Sequence, residues 1–80
     1  MAPVVFIFNS LKFKVNANDH SPPHVHVEGR GASVRINLLT LEFMDAQTDF
    51  SRSTLDLILG EVTKRRDELM EEWRRYHEED

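Results

Sequence analysis

Eighty residues, of which 40% are hydrophobic and 30% charged, make one small domain with no room for a second core. The formal net charge of −4 argues against a whole-molecule attraction to nucleic acid and leaves only a local basic face for it. The absence of cysteine excludes disulfides, thiolate metal sites and cysteine nucleophiles, and it fits a reducing cytoplasm.

The longest apolar run, "VVFIF", is far too short for a membrane span. No charged segment precedes it, so neither a membrane segment nor a signal peptide is expected. Residues 1–50 read as a β-sheet, residues 51–78 as helical and residues 79–80 as a tail.

"VVFIF" is a buried strand candidate, and "LKFKVN" alternates, with Leu11, Phe13 and Val15 opposite Lys12, Lys14 and Asn16. A two-residue turn at Asn9-Ser10 pairs Phe8 with Leu11 and Phe6 with Phe13, which matches the apolar faces. In "HVHVE", Val25 and Val27 face one way while His24, His26 and Glu28 face the other. "ASVRIN" repeats the pattern, Val34 and Ile36 against Ser33, Arg35 and Asn37. An even loop at Gly29-Arg30 would pair Val25 with Val34, His26 with Ser33 and His24 with Arg35, glycine supplying the positive φ. "LEFM" at 41–44 is a weaker strand, reached through "LLT", which lacks Gly, Asn and Pro.

From Ser51, a candidate helix cap with Ser53, the period changes. Leu55, Leu59, Val62, Leu69, Trp73 and Tyr76 form one apolar stripe, broken where Arg66 stands, with Gly60 as a point for a bend or a break into two helices. The expected fold is α+β: a small antiparallel sheet of four to five strands packed on a long C-terminal helix.

The chemistry concentrates in "NDHSPPHVHVEG", which holds three of the four histidines. His24 and His26, at i and i+2 on a strand, have Cα atoms about 6.6 Å apart with both rings on one side, a spacing from which two imidazoles can share an ion. They are expected to project away from the packed interior, onto the surface that carries Arg35. Pro22 and Pro23 stiffen the approach. A metal site would draw on His20, His24, His26, Asp19 and Glu28, with zinc or another divalent ion held by neutral imidazoles. A cation at Arg35 opposite His24 would oppose it.

The alternative uses His20, His24, His26, Arg35, Lys12 and Lys14 as a basic, hydrogen-bond-donating face for phosphate or carboxylate. A third reading leaves these residues as the wet face of a half-buried sheet. "KRR" at 64–66 is surrounded by acids and reads as a solvated face with pairs such as Glu61 with Arg65 and Glu71 with Arg75. His77 sits favourably against the helix dipole.

The motif carried by Asp19, His20, Pro22, Pro23, His24, His26 and Val27, with a helix ending in Glu68, Leu69 and Trp73, resembles the domain of unknown function 4160 family. The resemblance spans nearly the whole chain and implies a compact α+β fold in small bacterial proteins. It also implies a setting beside a second small protein, in arrangements resembling toxin–antitoxin pairs. Two positions depart from the pattern: Val25 stands for the usual aromatic, and "LLT" for a glycine-bearing turn.

Two functions stand at this stage. One is a non-enzymatic, cytoplasmic binding module contacting an anionic protein or nucleic acid, with no cofactor. The other is a metal-dependent hydrolase or nuclease with His20, His24 and His26 as ligands and Asp19 or Glu28 as fourth ligand or base. An exposed sheet edge, or apolar helix surface near Trp73, leaves a homodimer open.

Overall fold

The computed structural model describes residues 4–17 and 19–77. Among them, β1 (Val4–Phe8), β2 (Leu11–Lys14), β3 (His24–Gly29) and β4 (Ala32–Asn37) form an antiparallel meander in spatial order β1-β2-β3-β4. Helices α1 (Arg52–Lys64) and α2 (Arg66–His77) follow, giving the expected α+β architecture. Residues 78–80, including the expected tail, lie outside the described residues.

The first hairpin has the expected register, Phe8 opposite Leu11 and Phe6 opposite Phe13. Asn9 and Ser10 both take positive φ, 52° and 64°, the backbone twist a two-residue hairpin turn requires. The Phe6 and Phe13 rings stack with centroids 4.5 Å apart.

In the second hairpin the loop is even, but it sits one residue later than expected, at Arg30-Gly31. Val25 pairs with Ile36, Val27 with Val34, His26 with Arg35 and His24 with Asn37. The cause is a contact distant in sequence. A Cβ on Gly29 would stand 2.7 Å from the Ser10 carbonyl oxygen, so this glycine serves close packing of the two hairpin tips. Arg30 (φ 53°) and Gly31 (φ 78°) then make the turn, and Arg30 Nη2 donates to Asn9 O at 2.6 Å. The shift by two preserves which face each side chain occupies.

"LEFM" forms a single bridge, Phe43 to Ile36, rather than a strand. Its turn works without glycine: Asn37 Oδ1 accepts from the Leu39 and Thr40 amides at 2.7 and 3.1 Å, and Leu41 takes φ 61°. Beyond it, Asp45 Oδ2 accepts from the Arg35 amide at 2.8 Å, covering part of the β4 edge.

Ser51 caps α1, its hydroxyl accepting from the Thr54 amide at 3.2 Å. The helical region breaks at Arg65 (φ −108°, ψ 21°), not at Gly60, whose Cβ position faces open space. The break turns two consecutive arginines inward. Arg65 lies 4.1 Å over the Phe6 ring and pairs with Glu61, while Arg66 Nε donates to the Leu38 carbonyl at 2.6 Å. The polar residue that interrupts the stripe is therefore a half-buried donor to a loop carbonyl.

The core comprises Leu11, Phe13, Val15, Val25, Val27, Val34, Ile36 and Leu38 from the sheet side, with Phe50, Ile58, Val62, Leu69 and Trp73 packed on them. Leu55 and Leu59 are only partly buried, and Tyr76 is 37% exposed. Ile58 takes the central place instead, at spacings of four, seven and four with Val62, Leu69 and Trp73.

Candidate metal centre

Between β2 and β3 the chain runs through Asn16, Asp19 and the two prolines before entering β3 at His24. Pro23 O accepts from the Leu38 amide at 2.9 Å, fixing this segment against the end of β4. Pro22 O accepts from His24 Nδ1 at 2.7 Å. A carbonyl can only accept, so the hydrogen of His24 sits on Nδ1 and Nε2 is its free coordinating atom.

His24 and His26 lie on one side of the sheet, ring centroids 5.0 Å apart. Both Nε2 atoms converge on one carboxylate oxygen. Asp19 Oδ2 is 2.6 Å from His26 Nε2 and 3.2 Å from His24 Nε2. The three candidate ligand atoms of Asp19, His24 and His26 all lie within 4.8 Å of one another.

The expectation that both rings face water is corrected for His24, which is 5% exposed. The Trp73 ring lies 5.3 Å from it, and Trp73 in turn stacks on His77 at 3.6 Å. His77 Nε2 lies 2.9 Å from the Asp19 carbonyl oxygen, so the end of α2 braces the loop bearing Asp19. The side chains of His26 and Asp19 keep 26% and 24% exposure, which leaves their side of the cluster open to solvent.

The hydrogen bonding of the bare cluster is frustrated. Neutral His24 would point a lone pair at a carboxylate oxygen. His26 Nε2 lies near both the Asp19 acceptor and, at 3.1 Å, the Asn16 Nδ2 donor, although one ring nitrogen cannot donate and accept at once. Asn16 Oδ1 is buried without a partner among the described residues. Burial would raise the Asp19 carboxyl, but the hydrogen bond and charge of His26, aided by His24 and Asn16, outweigh it and hold the group below its ordinary range.

The remaining sequence candidates lie around this cluster. His20 is exposed and stands outside it. Glu28 is also outside it and is ion-paired with Lys14, which holds its carboxyl down. Lys12 is exposed opposite Glu28. Arg35 faces His26, not His24, and its charge is met by Asp45, with Nε and Nη2 donating to Oδ1 at 3.1 and 2.8 Å. The cation expected opposite His24 thus stands two pairs along the ladder, opposite His26, and is balanced by Asp45.

Sequence reasoning missed Asn16, Asp45, and the Trp73–His77 brace. Alternation places Asn16 on the histidine face beside Lys14. Asp45 and the brace depend on contacts that no local pattern announces.

A four-stranded meander backed by two helices, with a histidine–carboxylate cluster where β3 begins, defines a small α+β protein with one concentrated polar site. The model of the family described as Domain of unknown function (DUF4160) matches residues 10–74, and the chain belongs to that family. No curated protein and no solved structure matches it.

Proposed function

We propose that the protein binds a divalent transition-metal ion through Asp19, His24 and His26, and that this open site supports metal-assisted hydrolysis. One observation carries the reading: His24 gives its Nδ1 hydrogen to Pro22 O and turns its lone pair toward the point where Asp19 Oδ2 and His26 Nε2 also converge. A backbone carbonyl holding the second nitrogen is the usual support of a metal-ligating histidine. A cation at that point replaces the lone-pair repulsion with three bonds.

Two imidazoles and a carboxylate suit zinc, manganese or iron(II). Three protein ligands leave a position for water, whose acidity the ion raises toward neutrality. The orphaned Asn16 Oδ1 is a ready acceptor for such a water. A metal-free anion-binding face has less support, because Lys14 and Arg35 each already hold a carboxylate. A bacterial, cytoplasmic setting beside a small protein partner, as in toxin–antitoxin pairs, belongs to this reading through the family resemblance and the absence of cysteine.

The test is a zinc and manganese titration of the metal-stripped chain, followed by calorimetry and by histidine ring NMR shifts. The expected result is one saturable site at micromolar metal, with shifts at His24 and His26 and none at His20. Absence of a saturable shift at neutral pH removes the reading.

A further inference from the structure

The strand register puts a cation on each side of the metal cluster. Lys14 on β2 and Arg35 on β4 are the direct cross-strand partners of His26, so the three form one row on one face. Neighbouring strands lie about 4.8 Å apart, which sets the Cα atoms of Lys14 and Arg35 about 10 Å apart with that of His26 midway, within reach of two long side chains converging on one point. Glu28 and Asp45 hold these side chains in place without using all their donors. An ammonium has three donors and a guanidinium five. Among the described residues Arg35 Nη1 makes no hydrogen bond, while Nε and Nη2 go to Asp45.

The charge balance of this face is conditional. Lys12, Lys14 and Arg35 are matched by Asp19, Glu28 and Asp45, so with neutral imidazoles the face carries no net charge. A divalent ion makes it doubly positive.

We infer that, once loaded, the metal takes a phosphate monoester at its open position with Lys14 and Arg35 on either flank, and that this anion binds only when the metal is present. The inference rests on the metal reading above and names its ligand. A tetrahedral phosphate offers three terminal oxygens, one each for the ion, the ammonium and the guanidinium. A carboxylate has two oxygens in one plane and cannot reach all three. The formal net charge of −4 repels a long polyanion, which favours a single phosphate group over a nucleic-acid backbone.

Calorimetric titration of inorganic phosphate into the zinc-loaded and the metal-stripped chain tests this. Saturable binding is expected only with zinc, and Lys14→Met should weaken it about tenfold, the loss of one charge-assisted contact, in a chain that still saturates with zinc. Arg35→Lys, which keeps a charge but loses the fork, should weaken it less than Arg35→Met. Equal phosphate binding without metal would overturn the inference, as would no phosphate binding to a chain that takes up zinc normally. Tighter binding of a single-stranded oligonucleotide than of phosphate would overturn the ligand class. Failure of zinc to bind at all would remove the metal reading itself, and the zinc arm alone reports that outcome.

Discussion

His24 Nε2 faces Asp19 Oδ2 across 3.2 Å, while His24 Nδ1 is committed to a backbone carbonyl. Among the described residues nothing resolves that confrontation except a positive charge, whether a proton or an ion between the two groups. Proton and metal therefore compete for the same place. Metal affinity should fall on acidification, because protons and the ion compete for the same ligand lone pairs.

Removal of a ligand should act on affinity far more than on fold where the side chain is about a quarter exposed, as at Asp19 and His26. Asp19→Ala or His26→Ala is expected to weaken zinc by more than about a hundredfold, beyond the cost of losing a supporting partner. His20→Ala should leave it unchanged. Competition with a chromogenic chelator reads all three. A His20→Ala chain as impaired as His26→Ala would mean that the motif's first histidine swings into the site.

The acid limb of stability should trace to paired carboxylates. The Arg35 hydrogen bonds outweigh burial and hold Asp45 below its ordinary value of 3.8, and Lys14 does the same for Glu28 against 4.5. A lowered folded-state pKa means the unfolded chain takes up protons first as pH falls. Stability is then full above about pH 5 and drains away as pH descends through the lowered values. Urea unfolding across pH 2–7 should show that slope, and Asp45→Asn should flatten it. At neutral pH the same substitution should cost about 1–2 kcal/mol, because both Arg35 side chain and Arg35 amide lose an ionised acceptor, partly in solvent.

Gly29→Ala should destabilise by about 1–3 kcal/mol. Its φ of 151° is unfavourable for a side chain, and its Cβ would collide with the rigid Ser10 backbone. Gly31→Ala meets open space and should cost less, through its φ of 78° alone. Thermal melts of the two variants compare contact with conformation directly.

Trp73 covers His24 and stacks on His77, so its loss should join stability to the site. Trp73→Ala is expected to cost about 3–5 kcal/mol, a large share of what so small a domain possesses. Trp73→Phe should remain folded yet weaken zinc by about tenfold, since the ring that pins His24 shrinks. Unaltered zinc affinity in the folded Phe variant would make the tryptophan a packing residue only.

Much of the fold was legible because strand alternation and helical spacing are local. The first hairpin followed from matching Phe6 and Phe8 to Phe13 and Leu11, and the parity of the second from its valines. The register there was not legible, since Gly29-Arg30 and Arg30-Gly31 give the same faces. Ser10, nineteen residues earlier than Gly29, decides between them. At the site, the i, i+2 spacing put His24 and His26 on one side, but nothing in the motif announced that Trp73 would cover one ring. Nor could it say that Asp19 faces His24 and His26 rather than His20. Asp45, lying outside any regular element, became readable only with its partner Arg35 in place.

The break at Arg65 reaches further than the helices themselves. Arg65 lies over Phe6 on one outermost strand, and Arg66 holds the Leu38 carbonyl just past the other. A meander is ordinarily free to unzip from either margin, one ribbon at a time. Here a single peptide junction touches both margins, so loosening one side is expected to slacken the grip on the far side.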